Sequence, residues 1–370
     1  MCPNMEYMQQ ALSLASLALG QTSPNPAVGA VLVKHGKVVG TGFTQPPGGK
    51  HAEIMAIEEA GTQAAGSTLY VTLEPCCHFG RTPPCTRAII QAGIVEVHAA
   101  MADPNPLVAG KGMAELEAAG IRSHLGEEET AARELNEAFF KYIVHHIPFV
   151  TVKFAMSLDG KIATANGDSR WISCEDSRQF AHHLRYTNDA IMVGVNTVIA
   201  DDPKLTARCS GGRGGTARQQ PLRVVVDGHV RTPVSSRLFG EQGQTLMAVG
   251  RNLDAAEIKA FASVNAEVTV MPSDNGVIDI RLLLEELGRR QITSVLVEGG
   301  GTLIGSFFDQ KLVDKVVAFI SPIIIGGEGK NAVGGKGAAM LADAWRLERV
   351  NTLSCGADTV ITGYVPASHI

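Results

Sequence analysis

The chain has 370 residues, 45% of them hydrophobic and 19% charged, with a formal net charge of −5. That is enough apolar material for two or three folded domains and too little charge for a disordered chain. The acidic balance leaves no broad basic field for nucleic acid, and no apolar run approaches the roughly 18 residues that span a bilayer.

The opening segment carries Glu6 and no basic region ahead of an apolar stretch, so it does not read as a secretory signal. Met5, Met8, Leu12 and Ala15 recur at helical spacing and predict an amphipathic first helix. An apolar run over 28–34 predicts a strand, and KVVGTGF a second one after a turn at His35-Gly36. Residues 51–60 predict a helix, 67–73 a strand, and 84–93 a helix opened by Pro84 and closed by Gly93. A strand over 94–101 and one long helix over 127–145 follow. Strands separated by helices imply an α/β sandwich with a largely covered sheet.

The pattern restarts at PFVTVKFAMSLDG (148–160), and Pro148 marks the break, giving domains over 1–147 and 148–370. Strands are expected at 190–195, 222–228, 245–250, 266–271 and 294–300, with helical stretches between several of them. The Gly-rich, polar segment 209–221 reads as a mobile surface loop.

Seven cysteines stand at 2, 76, 77, 85, 174, 209 and 355. An odd, scattered set without a secretory signal points to a reducing, cytoplasmic compartment. Cys76, Cys77 and Cys85 crowd together, which suits a metal better than a disulfide. His51-Ala52-Glu53 precedes them, followed by Pro75-Cys76 and then Cys85. Zinc takes imidazole nitrogen and thiolate sulfur, and catalytic sites keep three protein ligands with one open position. His51, Cys76 and Cys85 supply such a set, and Glu53 is placed to move protons without ligating. H-x-E…P-C-x-x-C is the signature of zinc deaminases, although here eight residues separate the two cysteines. A helix beginning at Cys85 would also favour its thiolate. A structural zinc closed by Cys77 or His78 is the alternative, and it leaves the H-x-E pairing without a purpose.

Read in order, PNPAVGAVLV, HAE, VTLEPC, HFGRTPPC and DPNPLVAGKG resemble the deaminase half of the bacterial bifunctional deaminase–reductase family of riboflavin biosynthesis. SLDGKIA, GDSRWI, GVNTVIADDPKLTAR, VVVDG and VEGGGTLIGSF resemble its reductase half. The resemblance implies a cytidine-deaminase-like α/β/α sandwich followed by a dihydrofolate-reductase-like α/β domain. It implies hydrolytic deamination of a phosphoribosylaminopyrimidine, a small-molecule substrate, then NADPH-dependent reduction of its ribosyl moiety. It further implies Zn2+ on His51, Cys76 and Cys85, with Glu53 as proton shuttle. Asn25, His78 and Arg81 would contact the substrate, and the protein would form a homo-oligomer, a dimer or tetramer. Two positions depart from the family's pattern: Thr44 where a histidine often stands, and Met55 where a polar residue often follows HAE-V/I.

In the second half, a strand running into glycines and then a helix lets backbone N–H groups approach a phosphate, or is simply a tight turn. The resemblance places NADPH against Gly300, Gly301, Thr302, Leu303, Ile304, Gly305 and Ser306, joined by Ala155, Trp171, Thr197, Asp201 and Gly228. It places the substrate against Ser169, Arg185, Leu205, Arg208 and Glu298. Lys153, Asp201 and Glu298 are the candidates for the polar catalytic group.

Two other classes compete: a deaminase of nucleic acid or free nucleosides, and a non-catalytic zinc module. The acidic charge and 5% aromatics disfavour the first, and the H-x-E pairing with an open metal position disfavours the second.

Overall fold

A computed structural model describes residues 3–80, 82–208 and 220–366. Arg81 and nearly all of the Gly-rich segment therefore lie outside the described residues. The chain divides into two compact units, the first ending at His146 and the second beginning at Ile147.

The first unit is built on five strands in the order Lys37–Phe43, Gly29–Lys34, Thr68–Val71, Glu96–Ala99, Arg122–Leu125. His35 and Gly36, both at positive φ, close the hairpin between the first two. Gly29–Lys34 is antiparallel to both neighbours, and the other pairs are parallel. Parallel neighbours need crossovers, which the helices Cys85–Gln91 and Lys111–Ala118 provide. Helices cover both faces. A Cβ on Gly29 would stand 1.9 Å from the Ala11 carbonyl oxygen of helix Pro3–Ser16, and one on Gly42 2.2 Å from that of Ala52 in helix Ala52–Ala60. Gly42 stands opposite Ala30, the residue after Gly29, so the two helices lie on opposite faces.

The long helix expected over 127–145 is two helices, Glu129–Leu135 and Glu137–His145, broken at Asn136. The buried Asn136 amide takes both backbone polar groups of Ala27: Oδ1 accepts its N–H at 2.8 Å and Nδ2 donates to its carbonyl at 2.9 Å. A buried backbone needs such partners, and this pairing outweighs helix continuity.

The second unit holds a nine-stranded sheet. Its order is Ala266–Val270, Thr245–Val249, Leu222–Asp227, Ala190–Gly194, Ser294–Val297, Phe149–Ser157, Lys315–Ser321, Asp358–Tyr364, Glu348–Cys355. The first seven run parallel, and Asp358–Tyr364 is antiparallel to both of its neighbours. Val150, Val152, Met192, Val224, Leu246, Val295 and Val297 are wholly buried, as the near-continuous apolar runs of a doubly covered sheet should be. At about 1.5–3 kcal/mol per large apolar side chain, this burial is what holds the unit together. Helix Ile280–Arg289 adds its Ile280, Leu283, Leu284 and Leu287 face to the same core.

Candidate active sites

His51 occupies the N-cap position of helix Ala52–Ala60, in extended conformation, yet caps nothing with its side chain. Its ring is turned to the cysteines instead: Nδ1 lies 3.2 Å from Cys85 Sγ and 3.6 Å from Cys76 Sγ. Zinc–nitrogen and zinc–sulfur bonds at a tetrahedral angle imply donor separations of about 3.6 Å. The donor set therefore fits a zinc ion in chemistry and in size. Cys85 opens helix Cys85–Gln91, and its backbone N–H donates to Cys76 Sγ at 3.4 Å. A hydrogen bond from the Cys85 thiol holds the Cys76 sulfur far below the usual thiol range, as a thiolate.

Glu53, two residues past His51, is 4% exposed. Burial, reinforced by the Cys76 sulfur, pushes its carboxyl up to about 6. A buried carboxyl near neutrality is suited to trading protons. His78 carries a buried Nδ1 without a hydrogen-bond partner among the described residues, so an unsatisfied polar atom sits in the loop between the cysteines. Asn25 is half-buried in the turn ahead of strand Gly29–Lys34, its N–H donating to the Thr22 carbonyl at 2.8 Å.

Glu74 ties the loop before Cys76 to the segment 103–113. Its carboxylate accepts the N–H groups of Asp103 at 3.1 Å, Gly110 at 2.9 Å, Gly112 at 2.9 Å and Met113 at 3.3 Å. A Cβ at position 112 would stand 2.1 Å from the Pro75 carbonyl oxygen, so only glycine admits this approach.

A cavity of about 710 Å³ opens in the second unit. Lys153, Ala155, Ser169, Trp171, Arg185, Thr197, Asp201, Leu205, Arg208, Glu298 and Gly300 all line it. Arg185 Nε and Nη2 hold Glu298 at 2.6 and 2.8 Å. Burial alone would raise the Glu298 carboxyl, but the Arg185 and Lys153 charges bring it down to about 2. Lys153 is itself lowered by burial and lies over the Phe319 ring at 5.3 Å. Asp201 accepts a 3.2 Å hydrogen bond from Ser169. The Gly300 N–H donates to Thr197 Oγ1 at 3.0 Å.

Seven of the residues expected around a cofactor do not line this cavity: Gly228, Gly301, Thr302, Leu303, Ile304, Gly305 and Ser306. Leu303, Ile304 and Gly305 are buried within helix Gly301–Asp309, and the two apolar side chains are spent on the core. The space beside Gly301, expected to admit a phosphate, is taken by the Asn331 carbonyl oxygen, 2.6 Å from where a Cβ would stand. Gly228 abuts the Gly276 backbone in the same way, at 1.7 Å.

Residues 148–361 match the RibD C-terminal domain, and residues 2–101 match the cytidine and deoxycytidylate deaminase zinc-binding region. The riboflavin biosynthesis protein RibD of Aquifex aeolicus is 43% identical over 356 residues, 96% of each chain. The chain belongs to the RibD family. Among solved structures, RibD of Acinetobacter baumannii superposes with a TM-score of 0.88 at 34% identity, covering 99% of each chain. A diaminohydroxyphosphoribosylaminopyrimidine deaminase/5-amino-6-(5-phosphoribosylamino)uracil reductase of Thermotoga maritima gives 0.86 at 34% identity, over 98% of this chain and 99% of that one.

As a RibD-family protein the chain pairs a zinc-binding deaminase domain with a reductase domain of riboflavin biosynthesis. Thr44 is buried, and its Oγ1 accepts the Val28 N–H at 3.1 Å. The side chain is thereby committed to the backbone. One residue escaped the sequence reading altogether. Thr82 Oγ1 lies 3.1 Å from His51 Nε2. With Nδ1 given to a zinc ion, Nε2 would carry the proton and donate to Thr82, fixing tautomer and ring orientation. The cavity also gathers Arg170, Arg178, Lys204 and Arg237, charges suited to phosphate that the sequence reading did not single out.

Proposed function

We propose that the first unit hydrolyses the 2-amino group of 2,5-diamino-6-(5-phosphoribosylamino)pyrimidin-4(3H)-one, releasing ammonia and 5-amino-6-(5-phosphoribosylamino)uracil. The second unit then reduces the ribosyl group of that product to the ribityl form with NADPH. The convergence of one imidazole nitrogen and two sulfurs beside the buried Glu53 carries the reading.

His51, Cys76 and Cys85 would hold the zinc ion, which when bound supplies Lewis-acid activation of water. Glu53 takes a proton from the attacking water and returns it to the amino group that departs as ammonia. Its burial keeps bulk water from carrying that proton away. The partnerless Nδ1 of His78 offers the substrate a hydrogen bond, with Asn25 and Arg81 as further contacts.

In the second unit, NADPH supplies the reducing equivalent. Of the residues lining the cavity, Ala155, Trp171, Thr197, Asp201 and Gly300 would hold it, and Ser169, Leu205 and Arg208 the substrate. Where helix Gly301–Asp309 meets the cofactor, contact falls to its first backbone N–H groups, since its apolar side chains face the core. Arg208 takes the 5′-phosphate, and the Arg185–Glu298 pair keeps a carboxylate ionised beside Lys153. Among the described residues no helix is long and apolar enough to cross a membrane. We place the enzyme in the cytoplasm, as a dimer or tetramer. The exposed edge strand Glu348–Cys355 supports assembly by offering unpaired backbone and exposed Val350.

Incubating the ribotide with the full chain, with and without NADPH, and identifying products by mass tests the sequence of reactions. The deaminated ribotide should accumulate without NADPH and pass to the ribityl product with it. Ammonia released from cytidine but not from the ribotide would reassign the substrate.

A further inference from the structure

Glu96 and His98 are two residues apart on strand Glu96–Ala99 and project to one side of the sheet. His124 stands opposite His98 on the neighbouring parallel strand. The three side chains converge: their donor atoms lie within 4.8 Å of one another. His124 Nε2 is 3.0 Å and His98 Nε2 3.5 Å from the same oxygen, Glu96 Oε1. The other Glu96 oxygen is held by Arg122 Nη2 at 2.9 Å, which leaves Oε1 directed at the two rings.

His98 is fixed from every side. Its side chain is 6% exposed, and its ring stacks between Tyr70 at 4.7 Å and His124 at 4.5 Å. Glu127 Oε1 lies 2.9 Å from Nδ1 and holds the ring from behind, with Nε2 turned towards Glu96. A metal ion placed between Nε2 and Glu96 Oε1 would take a donor atom from each. The second Glu127 oxygen is buried without a hydrogen-bond partner among the described residues.

We propose that Glu96, His98 and His124 form a second divalent-cation site, taking a metal that prefers imidazole and carboxylate donors, such as Zn(II) or Co(II). Glu127 is its positioning residue, and His98 the preset ligand. His124, 49% exposed on the edge strand, completes the set with Nε2 already 3.0 Å from Glu96 Oε1. The site is separate from the His51 centre. His98 opposes Tyr70, and Tyr70 opposes Val31, two residues on from Gly29, so the cluster shares the face covered by helix Pro3–Ser16. His51 belongs to the opposite face, at the start of helix Ala52–Ala60.

Co(II) titration of the metal-stripped full chain tests this, because thiolate ligands give sulfur-to-cobalt charge-transfer absorption and imidazole or carboxylate ligands do not. The wild-type chain should bind two cobalt ions, only one of them with that absorption. His124→Ala and Glu96→Gln should each bind one, with the charge-transfer band intact. A wild-type chain that binds a single cobalt, or a His124→Ala chain that still binds two, overturns the proposal.

Discussion

Arg185 grips Glu298 through two hydrogen bonds, at 2.6 and 2.8 Å, in the wall of the reductase cavity. The side chains are 18% and 9% exposed, so neither charge has much water to fall back on.

Removing one partner of a buried ion pair leaves an uncompensated charge, at a cost of about 3–5 kcal/mol. Arg185→Met should lower the unfolding free energy of the second unit by that amount, read as a lower denaturant midpoint at unchanged slope. Arg185→Met with Glu298→Leu should recover part of the stability, the remainder reflecting Lys153 left without its carboxylate, while reductase activity stays lost. Equal destabilisation in single and double variants would show that the charge of Glu298 is not the penalty.

Glu53→Gln keeps the shape of the side chain and removes its proton traffic. General acid–base groups contribute about 10²–10⁴-fold, so ammonia release should fall by that factor while zinc content stays at the wild-type level. The same variant should still reduce the deaminated intermediate, which metal analysis and a coupled NADPH assay would show together.

Thr82→Val should weaken zinc binding about ten- to a hundredfold, the usual cost of losing a partner behind a ligating histidine. Thr82→Ser retains the hydroxyl and should restore it. Competition against a chelator reads this directly, independently of turnover. Equal affinities for the valine and serine variants would mean that the 3.1 Å contact to His51 Nε2 has no role in holding the ring.

Adjacent glycines at the end of strand Ser294–Val297 should respond differently. At Gly300 a Cβ meets only Thr197 Oγ1, at 3.6 Å, so Gly300→Ala should fold normally and show its effect in the Michaelis constant for NADPH. At Gly301 the nearest atoms are the Asn331 carbonyl oxygen at 2.6 Å and the Gly334 nitrogen at 3.2 Å. Gly301→Val should therefore destabilise the fold by about 1–3 kcal/mol, whatever it does to the cofactor. Thermal unfolding of both variants beside their NADPH kinetics separates the two outcomes.

The chemistry-bearing residues were legible because their types and order are unusual. H-x-E followed by two cysteines names a donor set and an acid, and the structure does bring His51, Cys76 and Cys85 together. Thr82 was not legible, since a threonine in a loop carries no pattern until the ring it faces is in place. The break at Asn136 was hidden for a similar reason: the 127–145 segment is helical in composition, and only the distant Ala27 backbone explains the interruption. Strands Lys315–Ser321, Glu348–Cys355 and Asp358–Tyr364 escaped the sequence reading. Glu348–Cys355 is exposed along nearly its whole length and shows no alternation to read.

The Asn136 clamp also sets how short a working first unit can be. The last strand of its sheet ends at Leu125, and His51, Glu53, Cys76 and Cys85 all precede that point. A fragment ending between 126 and 135 would thus keep every strand and the full donor set. It would lack the amide that pairs with Ala27 from 109 positions away, and the turn that carries Asn25 would lose its anchor. The excisable sheet and the excisable enzyme therefore differ in length, and a dissection of the gene guided by strands alone would cut too early.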